Sequence, residues 1–252
     1  MVHLSNGMKS KIIFFGGFEG FSDIYLNALK KACFEIVSEA KDADLGVIAY
    51  YGKIIPKVIL QLPKYGFLNA HPSLLPRWRG PSPVQAAILA GDRVTGVTIH
   101  IATEKPDTGP ILAQKEILMD IKDTCLSLTG KLAYEGASLL IPTIEKWLSG
   151  EITPRKQDNS KATYTGLLKK KDGEIDWSKP ADYIEKMVRA YDPWPGTFTK
   201  MKNGKILKIK KVKVENSALK ILVVQPEGKK EMAWDAFLRG HKDTIEIASP
   251  FR

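Results

Sequence analysis

Apolar positions in this chain come mostly as short unbroken runs closed by glycine or proline, with helical stripes between some of them. Lys11-Ile12-Ile13-Phe14-Phe15 ends in Gly16-Gly17, and from about Phe21 to Lys31 one face carries Tyr25, Leu26 and Leu29. Strand, glycine turn and helix in that order open a doubly wound α/β domain. Leu45 to Tyr50 is a second buried strand, and its near-continuous apolar character suits a parallel sheet covered on both faces. Tyr51-Gly52 leads into a short helix near Pro56. Gly66 to Asn69 is another strand, delivering Asn69 to the carboxyl edge where open α/β sheets bind ligands. A helix is predicted over Pro83 to Leu89, and strands over Gly96 to Ile101 and from Pro110 onward. Leu128, Leu132, Leu139, Leu140, Ile144 and Trp147 form the stripe of a long helix from Asp123 to Leu148, with Pro142 predicting a kink or a break inside it.

The polar stretch from Glu151 to Lys161 reads as a linker. Beyond it, a helix is predicted from Pro180 to Arg189, a turn at Asp192-Pro193-Trp194-Pro195-Gly196, strands over Lys205 to Val214 and Leu219 to Val224, and a closing helix over Ala233 to Leu238. Trp194, between two prolines, is expected to be a packing anchor. The pattern therefore predicts an α/β, doubly wound, Rossmann-like domain over residues 9–160. A linker helix and a small β-barrel or sheet would follow over 167–252, in barrel form a shortened one of OB type.

Composition narrows the partners. Lys and Arg number 38 against 28 acidic residues, a formal charge of +10, which favours a polyanionic partner such as tRNA, a nucleotide or an anionic membrane, or else reflects a solvated basic surface. Cys33 and Cys125 are too few for a disulfide framework or a four-cysteine zinc site, and a reducing cytosol fits them best. The histidines His3, His71, His100 and His241 show no metal-ligand spacing. Without an apolar run of about 18 residues or a leader-like core before Lys11, no membrane is expected; the reading is a cytoplasmic monomer. Gly16-Gly17 lacks the spacing of a dinucleotide fingerprint, so a tight turn is the better reading.

Chemistry concentrates in two loop segments. Asn69-Ala70-His71-Pro72-Ser73-Leu74-Leu75-Pro76-Arg77-Trp78-Arg79-Gly80 follows one strand, and Glu104-Lys105-Pro106-Asp107-Thr108-Gly109 follows another. A carboxamide, an imidazole and a carboxylate on such loops suit acyl transfer to an amine, which needs a proton acceptor and donors for a developing oxyanion. Taken alone, each residue could equally be a turn former or a satisfied loop histidine.

The first segment resembles the Asn-x-His-x-Ser-Leu-Leu-Pro signature of the folate-dependent formyltransferases, in the form used by the branch that formylates methionyl-tRNA. Gly96-Val97-Thr98-Ile99 followed by Asp107-Thr108-Gly109 is similar to the superfamily's second signature. Tyr50-Tyr51-Gly52 with Ile55-Pro56, Asp176-Trp177, Pro193-Trp194-Pro195-Gly196, and the run from Gln225 to Met232 extend the likeness over nearly the whole chain. The resemblance implies formyl transfer from 10-formyltetrahydrofolate to the amino group of methionyl-initiator tRNA, with no metal. Asn69 and His71 would donate to the formyl oxygen, and Asp107, its pKa raised by burial, would accept the amine proton. Ser73, Leu74, Leu75 and Pro76 would hold the folate through backbone bonds and leucine walls, with Tyr51 and Ile55 beside them. Arg77, Arg79, Lys208, Lys210 and Lys211 are the expected RNA contacts; the alternatives are a surface cation–π cluster for the arginines and a lysine-protected edge strand for the lysines. Two departures stand out: only Cys33 to Asp44 fills the gap where the family carries a strand, a helix and a basic loop, and only Glu215 to Ala218 separates the two C-terminal strands. They leave open an amino sugar nucleotide as acceptor, or a folate- or RNA-binding relative without turnover.

Overall fold

The structure, a computed structural model, describes residues 9–18 and 20–240. His3 and His241 lie outside them. The described residues fall into two compact units, one drawn from 9–18, 20–84, 93–120 and 127–166, the other from 85–92, 121–126 and 167–240.

In the first unit β1 (Lys11–Gly16) is followed by α1 (Phe21–Lys31), β2 (Glu35–Val37), β3 (Leu45–Ala49), α2 (Lys57–Leu60), β4 (Phe67–His71), β5 (Val94–Ile101) and β6 (Ile111–Leu118). The sheet order is β2-β1-β3-β4-β5-β6. The first four strands are parallel, in keeping with the unbroken apolar runs of β1, β3 and β4, but β5 runs antiparallel to both its neighbours, β4 and β6. A strand so short and half exposed as β2 carries no readable period, which is why the sequence pattern misses it. Ile12, Leu29, Leu45, Val47, Leu68, Val97 and Ile99 are buried with almost no exposure and form the core. The long helix α4 (Cys125–Leu148) contributes Leu128, Leu132, Leu140 and Ile144 to it and runs through Pro142 without a break.

The helix α3 (Pro83–Ala90) lies mostly within the second unit, whose other elements are α5 (Ala181–Ala190), β7 (Thr197–Lys200), β8 (Ile206–Glu215), β9 (Ala218–Pro226), β10 (Met232–Ala233) and α6 (Trp234–Gly240). Of the expected barrel or sheet, the described residues form the sheet: four antiparallel strands in the order β10-β9-β8-β7, with no ladder joining β7 to β10 among them. α5 packs on β8 and β9. The lysine-rich β8 is thus an interior strand at Lys208, which lies between β7 and β9, whereas Lys211 and Lys213 sit where β8 pairs with β9 alone. Its inward positions Leu207 and Ile209 change phase to Val212 and Val214, and the ladder is irregular at that point, around Lys211. An irregularity of this kind absorbs the extra residue of the Lys210-Lys211 doublet. Trp194 is 56% exposed and anchors no core, contrary to its reading from sequence.

Candidate active site

Asn69 and His71 stand two residues apart on β4 and therefore share one face of the sheet. The antiparallel register sets Asn69 opposite His100 and His71 opposite Thr98 on β5. Beyond β5 the chain turns through a loop in which Thr103 and Thr108 hydroxyls both donate to the Lys105 carbonyl. Asp107 enters the left-handed region at φ 56°. Gly109 lets this loop return onto β5: a Cβ there would lie 1.7 Å from the Ile101 carbonyl oxygen.

The carboxylate so presented meets the β4 side chains. Asn69 Nδ2 donates to Asp107 Oδ1 at 3.3 Å, His71 Nδ1 lies 3.5 Å from the same oxygen, and the Gly80 N–H donates to Asp107 Oδ2 at 2.8 Å. The three groups chosen from motif order converge. His71, Asp107 and His100 side chains are 6%, 11% and 1% exposed, so water screens them little.

Tautomers follow from the carbonyls. His71 Nε2 lies 3.0 Å from the Trp78 carbonyl oxygen and carries the proton donated to it, which turns Nδ1 toward Asp107. His100 Nδ1 likewise donates to the Ile101 carbonyl at 3.0 Å, leaving Nε2 to accept from Asn69 Nδ2 at 3.1 Å. His100 is the site residue that sequence reasoning passed over; a polar residue at the end of an apolar strand, cross-strand from Asn69, is the signal that could have found it.

Electrostatics correct one expectation. Burial pushes the Asp107 carboxyl up, as expected, but the electrostatic influence of His71 and His100 and the hydrogen bond from the Gly80 N–H outweigh it and hold the pKa below the ordinary carboxylate range. Asp107 is therefore ionised and weakly basic. Burial lowers the pKa of His71, against the opposing pull of Asp107 and the Trp78 carbonyl, so the imidazole is neutral near pH 7.

The Ser73 to Pro76 turn uses much of its backbone internally. Thr98 Oγ1 donates to the Ser73 carbonyl and accepts from the Leu75 N–H, and Gln114 Nε2 donates to the Leu75 carbonyl. Ser73 and Leu75 are buried. These bonds fix the shape of the turn, in which Leu74 is half-buried. Tyr51 and Ile55 lie apart from this turn, lining a cavity of about 290 Å³ with Phe15 and Ile59. The convergent triad lies outside that lining.

The expected RNA contacts divide. Arg77 is exposed and stacks on Trp78, 4.3 Å from the ring centroid. Arg79 is only 2% exposed, and its guanidinium bonds Gln157, Asn159 and Tyr164, so it faces no RNA. On β8, Lys208 and Lys211 are exposed, whereas half-buried Lys210 is paired with Asp192 at 2.5 Å and cannot act as a free cation. Nor is the polar stretch from Glu151 to Lys161 a linker. Arg155 exchanges backbone hydrogen bonds with Ile111, both 2.8 Å, and Gln157 is 6% exposed.

Among the described residues no group of three or more His, Cys, Asp or Glu could hold a metal, and no helix is long and apolar enough to cross a membrane.

The profile described as formyl transferase matches residues 11–144, and that of the formyl transferase C-terminal domain matches 167–218. Methionyl-tRNA formyltransferase of Chloroflexus aurantiacus is 42% identical over 234 residues, covering 82% of this chain and 75% of that protein. Among solved structures, HypX from Aquifex aeolicus in complex with tetrahydrofolic acid superposes with a TM-score of 0.72 at 18% identity, over 91% of this chain and 46% of HypX. This chain thus spans about half the length of HypX. Methionyl-tRNA formyltransferase from Clostridium thermocellum gives 0.67 at 19% identity, over 86% and 98%. At these identities the two structures speak for the fold. The profile matches and the Chloroflexus relative carry the assignment: the chain belongs to the formyl transferase family and is a formyl-transferring enzyme of its folate-dependent superfamily.

Proposed function

We propose that the enzyme transfers the formyl group of 10-formyltetrahydrofolate to the amino group of methionyl-initiator tRNA. The observation that carries the acceptor is the 42% identity to the Chloroflexus methionyl-tRNA formyltransferase over 82% of the chain, more than residues 1–166 could supply alone. The chemistry rests on the side chains around Asp107. The neutral amine attacks the formyl carbon, and negative charge grows on the formyl oxygen. Asn69 turns an Nδ2 hydrogen from Asp107 to that oxygen; such a donor is worth about 2.7–4 kcal/mol. His71 Nδ1, which holds a lone pair, takes the amine proton. A low-pKa carboxylate is a poor base, so Asp107 acts by charge, stabilising the imidazolium beside it. His71 then returns the proton to the folate nitrogen as the carbon–nitrogen bond breaks, so that proton and bond count balance. Tyr51, Ile55 and Leu74 serve the folate as apolar walls.

The test is to incubate the full chain with 10-formyltetrahydrofolate and charged initiator tRNA. Formyl-methionine on the tRNA is the expected product. Formylation of an amino sugar nucleotide in place of the tRNA, or folate binding with no formyl transfer to either acceptor, would overturn the assignment.

A further inference from the structure

The segment that looked like a linker does something more specific than cover the sheet. Gln157 is buried, and every hydrogen-bonding position of its amide nitrogen is used. Nε2 donates to the Asp107 carbonyl at 3.0 Å and to the Gly109 carbonyl at 2.7 Å. Oε1 accepts from Arg79 Nε at 3.1 Å and Nη2 at 2.7 Å. Arg79 is itself fixed: Nη2 also donates to Asn159 Oδ1 at 2.8 Å, Nη1 donates to Tyr164 Oη at 3.2 Å, and its backbone exchanges hydrogen bonds with Thr163 and Thr165.

These contacts join the two walls of the site. On one side Arg79 lies between Trp78, whose carbonyl orients His71, and Gly80, whose N–H holds Asp107 Oδ2. Gly80, at φ 106°, is pressed so close to the Thr165 carbonyl that a Cβ would lie 2.4 Å from it. On the other side Gln157 holds the carbonyl of Asp107 itself, whose backbone lies in the left-handed region that aspartate enters more readily than most non-glycine residues. A single amide thus ties the loop bearing the carboxylate to the segment that aims the imidazole.

We propose that Gln157 is a positioning residue: through its bridge from Arg79 to the Asp107 and Gly109 carbonyls it sets the distance between the Asp107 carboxylate and His71 Nδ1. This rests on the reading that His71 and Asp107 form the working pair. Gln157 touches neither substrate nor reacting atom in this role. Loss of its amide lets the Asp107 loop relax, and a displacement near 1 Å lowers turnover about 100-fold.

The test uses Gln157→Met, similar in size and uncharged, in the full chain. Two readouts separate positioning from simple destabilisation. One is the midpoint of the His71 imidazole resonance in an NMR titration, identified by its loss in His71→Gln. The other is the split of kcat against KM for formyl transfer. A receding carboxylate stabilises the imidazolium less, so the midpoint moves down by about half a unit or more, with kcat lower by about 10- to 100-fold and both KM values within about threefold. If Gln157→Met does not fold, Arg79→Met with Gln157→Met removes the stranded guanidinium and takes the same measurements. An unmoved midpoint overturns the proposal whatever the rate, as does a change confined to KM. Should the wild type formylate no amine while the midpoint still moves in the variant, the functional reading fails and the positioning role stands.

Discussion

His71 and Asp107 carry pKa values displaced in the same direction, and at the scale of the residue this has two consequences. A group whose folded pKa is depressed contributes stability above its unfolded value and loses it as pH falls toward the folded one. For His71 the window opens below about pH 6.5, and for Asp107 only below about pH 3.9. The melting temperature is therefore expected to fall as pH drops from 7 to 5, and to fall less in His71→Gln; equal slopes in calorimetry would refute the buried neutral imidazole. The second consequence concerns charge. Asp107→Asn keeps the shape and removes the counter-ion of the imidazolium, so kcat/KM should drop by about 100- to 1000-fold, a preorganised charge effect. Near-normal turnover in a formyl-transfer assay would show that the carboxylate is not needed. Of these site residues, Asn69, His71 and Asp107 were legible from motif order, whereas the direction of the Asp107 shift was not. Burial was foreseeable, but the opposing influences of His71, His100 and the Gly80 N–H depend on distances that only folding sets.

Elements show the same division. Helix α1 was legible end to end, because eleven residues with one apolar face leave no other reading. The Arg79-to-Gln157 brace was not: its members sit 78 residues apart, and a polar, breaker-rich stretch carries no periodic signal. Pro142 shows the converse, a local breaker overridden by the packing of a long helix. The β8–β9 hairpin offers a direct test of local backbone. Asn216 and Ser217 form its two-residue turn at φ 50° and 62°, the pattern of a type I′ turn in which glycine is favoured at the second position. Ser217→Gly should stabilise the second unit by about 1 kcal/mol, seen as a higher denaturant midpoint; no gain would mean the turn is not strained. In the Asp107 loop the sign reverses. Gly109→Ala drives a methyl into the Ile101 carbonyl and should lower the midpoint and the activity together.

Across the whole molecule, the formal charge of +10 bears on the acceptor. Lys208 and Lys211 project from β8, while Lys210 is held by Asp192 and Glu231. Converting Lys208 and Lys211 to alanine should flatten the salt dependence of tRNA binding by about 0.7–0.9 log units per lysine, with a smaller change for Lys210→Ala. Filter binding over a salt series checks this, and an equal effect at all three positions would defeat the division. The amino-acid order by itself determined the α/β succession, the buried strands and the long helix, because local periodicity and breaker residues act within a few positions; the three convergent side chains it marked only through their likeness to a family signature. Tertiary structure alone decided the antiparallel course of β5, the partners of Arg79, the ionised state of Asp107 and the conversion of an apparent linker into a brace. Each of these depends on groups far apart in sequence whose distance and dielectric surroundings exist only once the chain has closed.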